Sequence, residues 1–446
     1  MHRWLLSWMM VVLGVGSVSG GEVFEDPVPV TDSAANYRMT RNPSRQAAFD
    51  SEGTLHAVWW SGTLSTAPET PSEVFYASWS RGIGWSAPQT VDDSYIEGDV
   101  RVGGRQPSLT LTDDGAVWVV WQDHRHCRGG VPYSWIDNVE VYADVKPPGG
   151  SFSTTDIRLT TTVAEHFGDN AYSPRILAGP DGAMRVIWYD FHFNSGVADL
   201  FLKDAPAGGA FDLDESMTDM RRTRFEDRPP NPPFGPASLT QPELVATDEA
   251  WFAVLSEGVG LPASLWLAAI PEDGLLSAPL LVGSLTDGYT NPASVRAEAD
   301  GSLWIGWTDR RSEVSRVMLR RRNASTGLLE NSWLVTDGSQ RAEAIAFELD
   351  SQGLIHAVWV EVESYLQNRI RYAVLDPVTR TIVREELVTP ETGAWVKPCV
   401  VLDGNDVPHV LFGEFFGDAP ADTGDIWFAA GVAPEPGVSG DFWSFF

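Results

Sequence analysis

Four of the eight histidines, His124, His126, His166 and His192, occupy no repeated position, and Tyr133, Tyr172 and Tyr189 lie close to them in the chain. Imidazole and phenol groups serve as acid and base when a proton is drawn from the carbon beside a carboxylate. Imidazoles in a group also bind Zn²⁺ or a related divalent metal, so these four histidines are the candidate metal ligands. Arg105 and Arg125 supply guanidinium forks, the side-chain shape that best matches a carboxylate. Asp123 and Asp137 supply carboxyl groups that could orient or protonate. The candidate catalytic set is therefore Arg105, Asp123, His124, Arg125, Asp137, Tyr189 and His192. The competing account is plain composition: long polar loops collect His, Tyr and Arg without any shared task.

Whether these residues can meet depends on the elements that carry them. Seven segments share a short apolar strand, a turn often written Asp-Gly, and a second strand ending in a large apolar residue with an acid two positions on. The clearest copies are 107–123 (PSLTLTDDGAVWVVWQD), 174–190 (PRILAGPDGAMRVIWYD) and 292–309 (PASVRAEADGSLWIGWTD); weaker ones begin at Ala47, Pro242, Ala344 and Pro398. Asp-Gly between alternating β-branched and aromatic runs marks a hairpin, because Gly accepts the positive φ of the turn. Two further strand candidates follow each hairpin, as at 74–79 and 88–91, 139–145 and 157–160, and 316–321 and 333–336. Four strands per repeat is the composition of a propeller blade. The last repeat lacks a fourth strand after 425–430, while the N-terminal region carries a spare one, Val28-Pro29-Val30-Thr31. The expected fold is an all-β, seven-bladed β-propeller of four-stranded antiparallel blades, closed by that N-terminal strand. A helical period is nearly absent, which argues against α/β folds. The Pro-rich stretch 228–236 reads as a loop between the third and fourth blades.

In a propeller the loop after a second strand and the loop before the next first strand open on one face. His124, His126, His166 and His192 then gather around the second and third blades, with the three tyrosines. Recurrence separates them from other polar residues. The acid after the aromatic returns as Asp123, Asp190, Glu257, Asp309, Glu361 and Glu414, which points to a structural role because catalysis needs one asymmetric site. Arg125 and Arg311, each four positions after its aromatic, read equally as partners of those acids. His56, His356 and His409 all stand three residues before the aromatic and are repeat positions within a strand.

The second repeat carries a family resemblance. Arg105-Gln106-Pro107-Ser108-Leu109, Asp114-Gly115 and Trp121-Gln122-Asp123-His124-Arg125 resemble the opening blade of sialidases, and the Trp-x-Asp strand ends resemble sialidase-like, BNR-repeat propellers of secreted bacterial proteins. The resemblance implies that Arg105 matches one of three arginines gripping a substrate carboxylate, and that Asp137 stands in the loop that carries the general acid. No paired Tyr and Glu maps onto the family's nucleophile, and sialidases have six blades. The inventory of His, Tyr and Arg is also similar to that of some seven-bladed polysaccharide lyases.

Bulk properties bound the setting. Arg3, the apolar run 4–16 and Val18-Ser19-Gly20 read as a secretory signal over residues 1–20, so the chain is expected to be secreted or periplasmic. No later stretch approaches the ~18 apolar residues of a membrane span. A formal charge of −30 disfavours nucleic acid and anionic membranes as partners. Cys127 and Cys399 allow one bridge or two separate thiols. The propeller is assigned to 21–431 and an aromatic tail (GDFWSFF at its end) to 432–446, and the chain is expected to be a monomer. The arginines at 310, 311, 316 and 320–322 read as a solvated strand face rather than a contact for anionic glycan. The functional expectation is a binding module for extracellular carbohydrate. Its alternatives are a glycan-active enzyme, either a sialidase-like hydrolase or a polysaccharide lyase, and a scaffold for a cell-surface protein.

Overall fold

The computed structural model describes residues 23–432 except 33–36, 41–44, 63–71, 94–95, 98–99, 102, 126–138, 161–170, 191–197, 212–220, 224–238, 258–262, 272–275, 286–292, 311–313, 365–366 and 415–423. The segment read as a signal, the Pro-rich stretch and the aromatic tail thus lie outside the described residues, apart from Val432. The described chain is all β, arranged as seven antiparallel blades around an axis. Blade 2 is representative: Gly104–Leu111, Val117–Asp123, Glu140–Lys146 and Ile157–Arg158 pair in order from the inside outward.

The ring closes between the chain's two ends. Val28–Pro29 pairs antiparallel with Ile426–Ala429, placing Val28 opposite Phe428. Thr31 secures the joint, donating from Oγ1 to Asp425 Oδ1 at 2.6 Å and accepting from the Ile426 N–H at 3.1 Å. The spare N-terminal strand therefore supplies what the last repeat lacks.

Second strands are the most buried, Leu55–Ser61, Val117–Asp123 and Leu303–Asp309 along their whole length, because each blade is sandwiched between two neighbours. The recurring aromatics Trp59, Trp121, Trp188, Trp307 and Trp359 are all buried there. Among the described residues the core falls into seven hydrophobic clusters, one in each interface between neighbouring blades. Cohesion is thus between blades as much as within them.

The repeating proline has a local cause. Inner strands carry a bulge near their upper end, seen as register shifts between Arg105 and Ser108, Tyr172 and Arg175, Thr240 and Glu243, Glu343 and Ala346, and Val396 and Cys399. At each bulge a non-glycine residue takes positive φ: Gln106, Ser173, Gln241, Ala344 and Lys397. Proline follows four of the five, and a bulge tolerates it because the extra residue owes the ladder no N–H. Blade 1 departs from this pattern. Arg38 pairs with Trp60 and the Gln46 carbonyl accepts from the Val58 N–H, so the two pairings either side of the bulge position are further apart in sequence than in the other blades. The lower-face turns are the inner hairpins, with φ of 82° at Gly115 of Asp114-Gly115, 79° at Gly53, which follows Glu52, and Asp406 at 60° filling the equivalent place in blade 7.

Candidate functional site

The upper face, where second strands end and the next first strands begin, holds the sequence candidates that are described. His126, Asp137, His166, His192, Tyr133, Cys127 and Arg311 lie outside the described residues. Among the described residues no group of three or more His, Cys, Asp or Glu side chains could hold a metal.

Asp123 and Arg125 are tied to one another and to the blade. Asp123, fully buried, accepts from Trp121 Nε1 at 2.9 Å, from the Arg125 N–H at 2.8 Å and from Arg125 Nη2 at 2.7 Å. Arg125 Nη2 also reaches Asp156 Oδ2 at 2.5 Å, and the guanidinium lies 4.1 Å from the centre of the Tyr142 ring. Two carboxylates and an aromatic face already engage this cation. Related contacts recur: Glu257 accepts from Trp266 Nε1, Glu414 from Trp427 Nε1, and Glu361 pairs with Arg371. The repeat histidines are similarly spent, His56 between Asp50 and Tyr76 and His356 between Asp350 and Tyr372. The basic stretch is also engaged, with Arg310 on Glu343, Arg321 on Glu298, and Arg320 on the Glu330 and Val282 carbonyls.

Arg105 differs. Half-buried at the top of the blade 2 inner strand, it donates from Nε to Ser72 Oγ at 3.1 Å, and its guanidinium lies 5.6 Å from the centre of the Trp60 ring. No carboxylate among the described residues pairs with it. Arg38, on the inner strand of blade 1, lies 5.9 Å from the same indole, with its Nε donating to the Gly62 carbonyl at 2.9 Å. Two guanidinium groups thus converge over Trp60 in an otherwise strongly acidic protein. Sequence reading missed Arg38, because its inner strand is split and falls outside the repeat.

His124 stands next to this pair. Burial and the positive field of Arg105 push its imidazole down to about 3, with Asp123 opposing, so the ring is neutral at physiological pH. Its Nε2 lies 3.3 Å from Gln122 Nε2, while Gln122 Oε1 accepts from the Ser173 N–H of blade 3 at 3.1 Å. Gln122 is opposite Arg105 in the ladder. Across that bridge Tyr172 and Tyr189 pair in the ladder, with ring centres 5.6 Å apart. A continuous strip therefore runs from Arg38 and Arg105 through His124 and Gln122 to Tyr172 and Tyr189. It combines positive charge, a neutral imidazole and phenol groups.

Beneath the strip the axis is charged. The inner-strand residue opposite the one before each recurring aromatic is Gln46, Ser108, Arg175, Glu243, Ser294, Ala346 or Cys399, all buried. Glu243 draws Arg45 from blade 1, with Nε 2.5 Å away, and Arg175 from blade 3 at 3.5 Å. Cys399 is an unpaired thiol, pushed by burial up to about 12. These axial groups were illegible in sequence, since a different residue type fills the position in almost every blade.

No protein-family model matches the chain, and no curated protein matches it in sequence. Solved structures do resemble it. An ulvan lyase of polysaccharide lyase family PL25, bound to -[GlcA(1-4)Rha3S]-, superposes with a TM-score of 0.60 at 10% identity, covering 91% of this chain and 96% of that one. The polysaccharide lyase Uly1 gives a TM-score of 0.55 at 10% identity, covering 92% and 100%. The NanB sialidase of Streptococcus pneumoniae gives 0.49 at 9% identity, covering 92% and 70%. At these identities the likeness is one of fold.

Proposed function

We propose that this chain acts on an extracellular acidic glycan at the upper face of blades 2 and 3, cleaving a uronate-containing polysaccharide by β-elimination. The carrying observation is Arg105, a half-buried guanidinium with a hydroxyl and an indole as its partners, beside a neutral imidazole. Elimination needs the substrate carboxylate neutralised, a base for the proton on the adjacent carbon, and an acid for the leaving oxygen. Arg105, with Arg38, takes the carboxylate. His124, unprotonated, takes the proton; the electron pair forms the carbon–carbon double bond as the glycosidic C–O bond breaks, and Tyr189 protonates the departing oxygen. Supporting this reading, solved propellers of similar fold include polysaccharide lyases. Secretion fits such a substrate and belongs to the same proposal.

Carbohydrate binding without turnover is the second reading. What favours it is that Asp123, the described carboxylate of the candidate set, is fully occupied by Trp121 and Arg125, so that among the described residues no carboxyl of that set is left to act as the acid. Incubation with uronate polysaccharides and with sialosides separates the readings. Absorbance from an unsaturated product, abolished by Arg105→Ala with His124→Ala, is the expected result. Released sialic acid would overturn the elimination, and retention of glycan with no product would leave binding alone.

A further inference from the structure

Blades 3 and 4 depart from the repeat together, on the face opposite the strip. Every other inner hairpin closes with five residues between paired positions, as in 112–116 between Leu111 and Val117, but blade 4 closes with four, 247–250, between Ala246 and Trp251. Where the other second strands begin with Leu55, Val117, Met184, Leu303, Ile355 or Pro408, blade 4 has Trp251, half-buried. At the first turn position and the second residue of the second strand, blades 1, 6 and 7 place aspartate against histidine, blades 2, 4 and 5 place Thr112, Thr247 or Glu298 with an aromatic, and blade 3 has Gly179 and Arg185. A Cβ at Gly179 would come 2.6 Å from Trp251 Cζ2, so the absent side chain is what admits the indole. Arg185, buried, holds Asp204 through Nε at 2.7 Å and Nη2 at 3.2 Å, and its guanidinium lies 4.8 Å from the Trp251 ring centre. The result is a groove of about 850 Å³, with Asp181, Asp248 and Glu249 exposed on its rim and Trp251 in its wall.

We propose that this groove is a second glycan site, taking a neutral sugar unit against the part of the Trp251 indole that Arg185 and Gly179 leave open to the groove. Four co-operating departures at one interface of a repeat protein mark a built feature, because the blade scaffold requires none of them. A pyranose offers an apolar C–H face to an indole and hydroxyl donors to carboxylates. Charge selects among glycans: Asp181, Asp204, Asp248 and Glu249 outnumber Arg185, so a uronate or sulfated unit is repelled. A cationic peptide is disfavoured because Arg185 already places positive charge on the indole face. Such a site would hold the protein on neutral polymer while the opposite face is free to take acidic chains, and it stands without the elimination reading.

The test is affinity electrophoresis of the full chain through gels containing galactomannan, xyloglucan or soluble β-glucan. Retardation by at least one is expected, weakened by about tenfold or more in apparent Kd in Trp251→Ala. Because Trp251→Ala could disturb packing, the exposed double variant Asp248→Ala/Glu249→Ala is expected to weaken retardation too, whereas Arg105→Ala migrates like the wild type. Equal migration of wild type and Trp251→Ala in all three gels would overturn the proposal. So would binding to oligolysine that moderate salt abolishes, with no retardation by neutral polymer.

Discussion

Arg45 of blade 1 crosses the propeller axis to Glu243 of blade 4, with Nε 2.5 Å from Oε1, and Arg175 of blade 3 approaches the same carboxylate from the side at 3.5 Å. Glu243 is fully buried and faces two cations that burial would otherwise drive toward neutrality. Glu243→Ala is therefore expected to destabilise by roughly 3–5 kcal/mol, the usual consequence of stranding buried charge. Denaturant titration measures it; a loss under about 1 kcal/mol would mean water already reaches the axis.

Removing the cation at the strip should be felt in turnover. Arg105→Ala is expected to lower kcat/KM on uronate polymer by about 30-fold or more, since truncating a charge that meets a desolvated partner costs roughly 2–5 kcal/mol. Arg105→Lys should recover only part of it, lacking the fork. Unchanged kinetics in both variants would place the carboxylate elsewhere.

His124 makes a pH prediction. Its imidazole is pushed down to about 3 from the ordinary 6.5 by burial and by Arg105, so the base form persists well below neutrality. The acid limb of kcat/KM should therefore show no break near 6.5. Arg105→Ala removes one cause of the depression and should move the limb upward. An inflection at the ordinary imidazole value in the wild type would exclude His124 as the base.

Asp144 should shape stability against pH. Burial raises its carboxyl to about 7, and its Oδ2 has no partner. The folded state then keeps a proton that the unfolded chain releases above 3.8. This contribution is full below 3.8 and lost as pH rises through about 7. Asp144→Asn is expected to raise Tm near pH 8 and to change it little near pH 4, as scanning calorimetry at the two values would show. The reverse ordering would mean that Asp144 is charged and paired.

Ring closure rests on few bonds. Thr31→Ala removes a donor to Asp425 and an acceptor for the Ile426 N–H, both buried, and should cost about 1–3 kcal/mol. Deleting the strand as well should expose the edge of Ile426–Ala429 and promote association, visible in sedimentation. A variant as stable as the wild type would show that closure does not depend on this clasp.

Sequence alone determined the blades. Asp-Gly turns between β-branched and aromatic runs are local signals, and seven copies with a spare strand at one end and a missing strand at the other specify both count and closure, since an open ring would leave an unpaired edge. It also set His124 apart from the repeat histidines and named Arg105 and Tyr189 as candidates near it. Tertiary structure decided which side chains are available to a ligand. Arg105 and Arg125 read alike in sequence, yet Arg125 is held by Asp156 on the outer side of its own blade, while Arg105 meets Trp60 and Ser72 of the neighbouring one. The approach of Arg38 and Arg105 to one indole, the axial trio at Glu243 and the packing of Trp251 against Gly179 all join different blades. A hairpin's register is written in its own residues, but the partner of a side chain at a blade interface depends on how neighbouring sheets stack, and nothing local in the chain records that.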